Sequence, residues 1–577
     1  MAVLWVLVAV MGVTVLWPQR GYIHPDEFFQ STEVLAGDIF NITHLRTWEF
    51  NREMPLRDVS LPYLLFAPAF YALRAALNTP QVSGFISESY AVLILPRILL
   101  ALAGFVNYCL VKKLCTFFAV DDRVAVWYWL TSYVTWVFLV RSFSNTTETL
   151  LFSAVCILLL DLVQCCTRMR SVRVTAEPTP AEEAAVKQEY RQFRKCSFVL
   201  GVMLCMGIFN RPTFGVFTLA PLVWWVDQLN SARLKATFQF MTVFLTGMGF
   251  LLAFCVMSVS SSLYYNQDFS HLLSDLHVAI SQCDAALIQH TLHVVLSGLR
   301  IPPLNFMRYN LQASNLAEHG LHPWYTHFLV NFPMLLGPLV LLFFWNLATL
   351  FRRCLTKHPR DVLYAIVTIP IISLSFFPHQ EARFLLPVVP VAVVCVAGNS
   401  IAKWKTFKAV TLLCNILAFV LFGWLHQGGV VPAMSALQAR FKFISSDPVN
   451  HGSHYHIVSY ATYMPPRHLL FSDESKIKLH VHDMIGAHNS PPTLKLRMEE
   501  LRASCNADKI NCHFFMLLPA TALLDVTSIT GWQVIDEGEF CPHVSMERLP
   551  SSFSVETKED VYSLLRRFCL KVVSVKM

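Results

Sequence analysis

Two adjacent carboxylates, Asp26 and Glu27, sit in the stretch GYIHPDEFFQSTEVL at residues 21–35, just after a hydrophobic N-terminal segment. An ionised carboxylate at such a place can serve as a general base. Pro25 suits the first position of a helix, and acids in a first turn are stabilised by the helix dipole and its free N–H groups. The spacing predicts a helix from Pro25 with Phe28, Thr32, Leu35, Ala36 and Ile39 on one arc and Asp26, Gln30 and Glu33 opposite. Such a helix would lie on a membrane surface with its polar face toward a cavity. Taken alone, the spacing favours an ordinary helix start; the other polar clusters shift that balance.

The segment FFPHQEARFLLP (376–387) places His379 and Arg383 four residues apart with Glu381 between them. Either Glu381 and Arg383 pair to cap the next helix, or His379 and Arg383 donate to an anionic headgroup. RSFSNTTETL (141–150) and FNRPTF (209–214) add Arg141, Asn145, Glu148, Asn210 and Arg211. Each alone reads as a helix end, but charged groups at a membrane boundary are costly unless paired or wet, and four clusters on one side argue for a cavity. The chain has no D-x-D triplet, no P-loop lysine signature and no G-x-S-x-G elbow. The chemistry expected is therefore metal-independent and free of cofactors.

The elements that must position these residues are membrane helices. Of 577 residues, 55% are hydrophobic and 14% charged, with mean hydropathy +0.48, which excludes an ordinary soluble domain. With about 20 apolar residues needed per span, about eleven spans are expected near 2–17, 89–111, 124–140, 148–165, 197–209, 213–229, 237–258, 325–350, 362–377, 384–398 and 408–425. The first lacks a basic n-region and a small-residue cleavage site, so it reads as a retained helix. The apolar stretch 60–78 carries Pro62 and Pro68, and charge argues against it as a span. If 18–88 is one loop, the short loops on one side carry about nineteen Lys and Arg in roughly seventy residues, which places the N-terminus in the cytosol and the polar clusters opposite. The net charge of +7 thus reflects topology, and no aromatic-interleaved basic patch points to nucleic acid. The stretch 172–195 reads as a charged, mobile linker within a cytosolic connector at 166–196.

From residue 426 the chain is less apolar, and 426–577 reads as a small α+β domain beside the 1–425 membrane part. Strands are expected at 454–460, 476–484 and 513–519, with a helix at 493–504. Cys505, Cys512, Cys541 and Cys569 can pair in three ways, and the sequence does not choose. His451, His454, His456 and His468 are too irregularly spaced to argue for a metal site. Asn41 begins an N-x-[ST] sequon, and Asn145 begins another too near the membrane for use. A lid over the substrate is the role expected of this tail.

HPDEFFQSTEVL, TWEF (47–50), FSNTTETLLF, FNRPTF, PLNFMRYNL (303–311), HPW (322–324) and HQEARFLLP occur in an order that resembles the dolichyl-phosphate-mannose-dependent mannosyltransferases of the endoplasmic reticulum, glycosyltransferase family 22. Within that family GYIHPDEFFQS, HQEARF, LHQGGVVP (425–432) and TYMPPRHLL (462–470) are similar to the GPI branch that adds a fourth mannose. The resemblance implies a GT-C fold, an all-α polytopic body in the endoplasmic reticulum membrane with a lumenal site, and α-1,2 transfer from dolichyl-phosphate mannose to the third mannose of a GPI precursor. It also implies that the catalytic aspartate of the first lumenal loop is Asp26. A β-linked donor giving an α product requires inversion, for which one carboxylate suffices. Asp26 is then the base, Glu27 or His24 orients it, and His379 and Arg383, then Arg211, stabilise the departing phosphate. Gln30, Glu381, Asn145, Glu148 and Asn210 are the remaining candidates for orienting substrate. A sibling mannosyltransferase is the nearest alternative. A transporter would place ionisable groups near helix midpoints, and a scaffold would not need these clusters.

Overall fold

The computed structural model describes residues 9 and 12–577 except 80–86, 173–179, 232–235, 283–284, 313, 316–319, 353–359, 473–474, 485–489 and 550–557. The expected first span, 2–17, lies largely outside the described residues. Among the described residues six helices are long and apolar enough to cross a membrane: Ser60–Leu77, Glu88–Phe117, Ser144–Met169, Lys187–Asn210, Ala236–Tyr265 and Lys405–Leu425. Five of them coincide with expected spans. Shorter apolar helices cover His327–Leu336, Leu339–Leu350, Asp361–Ser375 and Ala382–Ala397. The single span expected at 325–350 is thus divided, and it divides at Gly337, whose φ of +56° takes the backbone out of the helical region.

Ser60–Leu77 is one helix despite its prolines and by length and composition belongs to the long apolar set, although charge argued against a span there. Pro62 falls in the first turn, where its missing N–H costs nothing, so only Pro68 interrupts the ladder. The stretch read as a mobile linker is helical from Pro180, in a helix that runs unbroken to Asn210. Its Ala, Glu, Lys, Gln and Arg are strong helix formers, and Pro180 stands at the first position.

Pro180–Asn210 packs along Ala236–Tyr265 with the backbones almost touching. A Cβ at Gly201 would meet the Thr246 carbonyl oxygen at 1.9 Å, and one at Gly249 would meet that of Phe198 at 2.1 Å. In lipid, where apolar burial drives little association, such small-residue contacts hold helices together. The principal core runs through the helices between Leu110 and Ala402, with Tyr128, Trp129, Phe152, Phe214 and Phe343 fully buried. The ends of several of these helices gather at one place. Ser144–Val172 and Phe214–Ser231 begin there, and Pro180–Asn210 and Asp361–Ser375 end there.

Beyond residue 425, the helix Val430–Ser446 leads into a five-stranded sheet: β1 His454–Tyr460, β2 Lys478–Met484, β3 Cys512–Pro519, β4 Gln533–Phe540 and β5 Leu570–Lys576. The spatial order is β2-β1-β3-β5-β4, with β1 parallel to β2 and β3 and with β5 antiparallel to β3 and β4. The first three strands match the expected ones, and the helix Pro491–Ala507 contains the expected 493–504. β4 and β5 were not expected: β4 carries four acidic or amide residues among its eight and alternates poorly. Cys505 pairs with Cys512 and Cys541 with Cys569, which selects one of the three connectivities. The side of the sheet carrying Tyr455, Ile457, Leu479 and Phe515 packs on Val430–Ser446 and joins Tyr22 and Phe28 in one core.

Candidate active site

The first loop does not fold as one helix. Asp26–Phe29 forms a single turn, Ser31 leaves helical geometry with φ −153°, and a second helix runs Thr32–Phe40. The break rotates Glu33 away from Asp26. Glu33 is fully buried and pairs with the imidazole of His468, beyond the sheet's first strand. Glu33 therefore does not share a cavity face with Asp26 and Gln30, as the uninterrupted periodicity had predicted.

The loop is clamped from behind. The Gly21 N–H donates to the Gly423 carbonyl at 2.7 Å, and the Tyr22 N–H to that of His426 at 2.8 Å. A Cβ at Gly21 would lie 2.2 Å from the Phe422 carbonyl oxygen, so this approach needs glycine. Glu27 is sealed, 1% exposed, between Arg97 and Arg141, each at 2.7 Å. Arg141 also donates to the Gly21 carbonyl at 2.7 Å, and the Ser142 hydroxyl donates to the Glu27 carbonyl at 2.5 Å. A buried carboxylate is tolerable only with such full pairing.

Asp26 points the other way, into a cavity of about 480 Å³. Its walls carry His24, Asp26, Arg57, Glu49, Arg211, His379, Glu381 and Arg383 among apolar Phe29, Trp48, Leu56, Phe306, Met307, Leu374, Phe377 and Phe384. Arg383 lies between two carboxylates. One Nη is 2.6 Å from Asp26 Oδ2, while Nε and the other Nη donate to Glu381 at 2.5 and 2.8 Å. Glu381 and Arg383 thus form an ion pair, but Glu381 makes no side-chain cap to the helix that follows, and the pair is part of the cavity wall. His379 Nε2 lies 2.9 Å from Glu381 Oε1, and His24 Nδ1 lies 3.5 Å from Asp26 Oδ1. Burial alone would raise the Asp26 carboxyl. The Arg383 guanidinium, with His24 behind it, outweighs burial and holds Asp26 well below the ordinary carboxylate range. Glu381 is held low by the same guanidinium against the same burial.

Gln30 donates to Asp26 Oδ2 at 2.5 Å and accepts from the Ser144 hydroxyl at 2.8 Å. Arg211 donates to that hydroxyl at 3.1 Å, and Asn210 to the Ser144 carbonyl at 2.9 Å. Glu148 lies behind them, 3.7 Å from Arg211, accepting from Thr213 at 2.8 Å and from Asn145 at 3.3 Å. The four polar clusters do converge, and Asp26, His24, His379, Glu381, Arg383 and Arg211 line one cavity. Gln30, Asn145, Glu148, Asn210 and Glu27 stand behind its wall and act on it through hydrogen bonds.

Arg57, Glu49 and Trp48 were not singled out by sequence reasoning. Arg57 donates twice to Glu49, at 2.8 and 2.6 Å, and its guanidinium stands 5.8 Å over the Phe306 ring. The motifs TWEF and PLNFMRYNL had flagged two of these neighbourhoods, but Arg57 carried no spacing cue. Among the described residues none beyond Phe384 lines the cavity, and 426–577 packs on the Asp26 loop, with the Tyr463 ring 6.3 Å from that of His24. Asn41 is exposed at a left-handed helix end, and Asn145 is fully buried.

Comparison with known proteins fits this arrangement. Human GPI alpha-1,2-mannosyltransferase 4 is 32% identical over 567 residues, covering 94% of this chain and 89% of that relative. GPI mannosyltransferase 4 of Saccharomyces cerevisiae is 30% identical over 428 residues, 71% of this chain and 67% of that relative. Among solved structures, archaeal oligosaccharyltransferase AglB from Archaeoglobus fulgidus, in complex with an inhibitory peptide and a dolichol-phosphate, is 14% identical with TM-score 0.41, covering 90% of this chain and 69% of that one. ArnT from Cupriavidus metallidurans in the apo state gives 12% and 0.34, covering 99% and 98%. At these TM-scores nothing more is drawn from the two structures. Residues 2–471 match the Alg9-like mannosyltransferase family, and with helices, cavity and relatives in agreement, the chain belongs to that family.

Proposed function

We propose that this chain transfers mannose from dolichyl-phosphate mannose, in α-1,2 linkage and with inversion, to the third mannose of a GPI precursor in the endoplasmic reticulum, with Asp26 as the base. The observation that carries this reading is the cavity in which one carboxylate, Asp26, and one guanidinium, Arg383, meet at 2.6 Å beneath apolar walls. Those walls suit a polyprenyl chain next to its phosphate, and the described relatives named GPI mannosyltransferase 4 suit the acceptor.

In the resting arrangement Arg383 weakens Asp26 as a base by stabilising its anion. A donor phosphate is a rival anion for the same Nη. When the phosphate takes that donor, Asp26 loses its nearest cation and gains basicity while the departing phosphate gains a partner. The acceptor hydroxyl attacks the anomeric carbon, Asp26 takes its proton, and the bond to the phosphate oxygen breaks. The phosphate leaves as an anion and requires no general acid. Arg211 and His379 are the next groups within the cavity to share its charge, and Arg57 lines the same cavity as an unanticipated third guanidinium. Glu381 holds Arg383 in place from the far side.

The test is purified protein with dolichyl-phosphate mannose and GPI precursors bearing two or three mannoses. Transfer to the three-mannose precursor, with loss of product after α-1,2-specific mannosidase, is the expected result. Transfer to the two-mannose precursor alone would assign the chain to a sibling step, and no transfer to either would overturn the reading.

A further inference from the structure

The sheet beyond residue 453 carries two His-x-His pairs, His454/His456 on β1 and His480/His482 on β2. Alternate residues on a strand share one face, about 7 Å apart, so each pair presents both rings on one side. The parallel register sets His456 opposite His480, which interleaves the four imidazoles as a ladder. Neighbouring ring centroids lie 5.0 Å apart for His454–His480, 4.9 Å for His480–His456 and 5.2 Å for His456–His482. His456 Nδ1 and His482 Nε2 are 3.0 Å apart, and His480 Nε2 and His454 Nδ1 are 3.2 Å apart. Two nitrogens each bound about 2.0–2.1 Å from a tetrahedral zinc stand roughly 3.3 Å apart, so within each of these two pairs the ring nitrogens have nearly the spacing of two ligands on one ion.

We propose that these imidazoles form a binding site for one divalent transition cation of the zinc class, with His456 and His480 at its centre. His456 is buried at 7% exposure and the other three are half-buried. Arg497, paired with Glu500 at 3.0 Å on the covering helix, and Lys478 on β2 oppose net positive charge here. The occupant must therefore bind through imidazole lone pairs rather than through charge, which selects zinc, nickel or copper over calcium or magnesium. The Cys505–Cys512 disulfide borders the site, with Cys505 Sγ 3.6 Å from His456 Nε2, and supplies no thiolate while oxidised. Sequence reasoning had dismissed a metal after counting His451, His454, His456 and His468. His468 pairs with Glu33 in another core, and the partners of His454 and His456 lie on the next strand, where only the register brings them.

Full-length protein in detergent, dialysed against EDTA with its disulfides intact, is titrated with Zn²⁺ and with Ni²⁺ against a chromophoric chelator, and its Tm is followed in parallel. One equivalent should bind, with a rise in Tm. His456→Ala and His480→Ala should each weaken binding at least tenfold and remove the Tm rise, while His451→Ala leaves both intact. Each variant's Tm without metal checks folding, and His480→Asn on the edge strand serves if His456→Ala fails that check. Failure of the wild type to bind at micromolar metal, or equal affinity in the ladder variants, would overturn the site. Binding that needs prior reduction by a dithiol and is lost in Cys505→Ser would move the metal to the thiols and overturn it equally. Metal binding is read without mannosyl transfer, so neither result depends on the proposed reaction.

Discussion

Asp26 and Glu27 are neighbours in the chain and face opposite sides of one loop. The Glu27 side is dry: two guanidiniums, two backbone contacts and 1% exposure leave the carboxylate no freedom to meet a substrate. The Asp26 side is partly open, its carboxylate 24% exposed and paired with the Arg383 guanidinium, for which a phosphate can compete. A sealed pair anchors a loop, and an open pair can exchange partners. Catalysis of the proposed kind needs both, since a base held loosely loses the alignment that makes it effective.

The comparison breaks most sharply at Asp26. Asp26→Asn should lower kcat by about 10²–10⁴-fold with an unchanged melting profile, measured on purified protein; full activity would remove Asp26 from the chemistry. Glu27→Gln should act on the fold instead. It leaves an uncompensated buried charge on Arg97 and Arg141, at a cost of about 3–5 kcal/mol, read as poor yield and a lower Tm in detergent. A stable Glu27→Gln protein with little activity would reverse the two roles.

Smaller changes sharpen the contrast. Arg383→Lys keeps the charge and loses the planar fork, so the donor KM should rise about tenfold with the acceptor KM unchanged. Equal effects on both would place Arg383 outside the phosphate site. The last effect is close to nil. The folded-state pKa of Asp26 lies below its unfolded value, so its ionised form persists on acidification and is lost only as pH falls through the depressed value. Between pH 7 and pH 5, kcat/KM should show no decline assignable to Asp26 in the free enzyme, and an acidic limb removed by Asp26→Glu would contradict this.

Part of this molecule could be read along the chain. The helical membrane body followed from runs of apolar residues, because hydrocarbon admits only segments that satisfy their own backbone. The strands β1, β2 and β3 followed from their β-branched and aromatic content, whereas β4, with Asp536, Glu537 and Glu539 in its eight residues, gave little to read. The helix from Pro180 was missed because charge was weighed above helix propensity. The polar clusters at 24–30, 141–148, 210–211 and 379–383 were visible as charge set against apolar flanks, where such groups need a reason.

What the sequence by itself determined is the class of chain and the polar clusters that interrupt its apolar runs, since these depend on local composition and spacing. The tertiary structure decided which carboxylate faces the cavity and which is locked behind it. It also decided that Arg57 joins the site, that the tail packs on the Asp26 loop, and that two His-x-His pairs interleave. Each of these turns on a φ/ψ break at Ser31, a backbone approach at Gly21 or a strand register, and such choices are fixed by packing between segments far apart in the chain, for which local spacing carries no information.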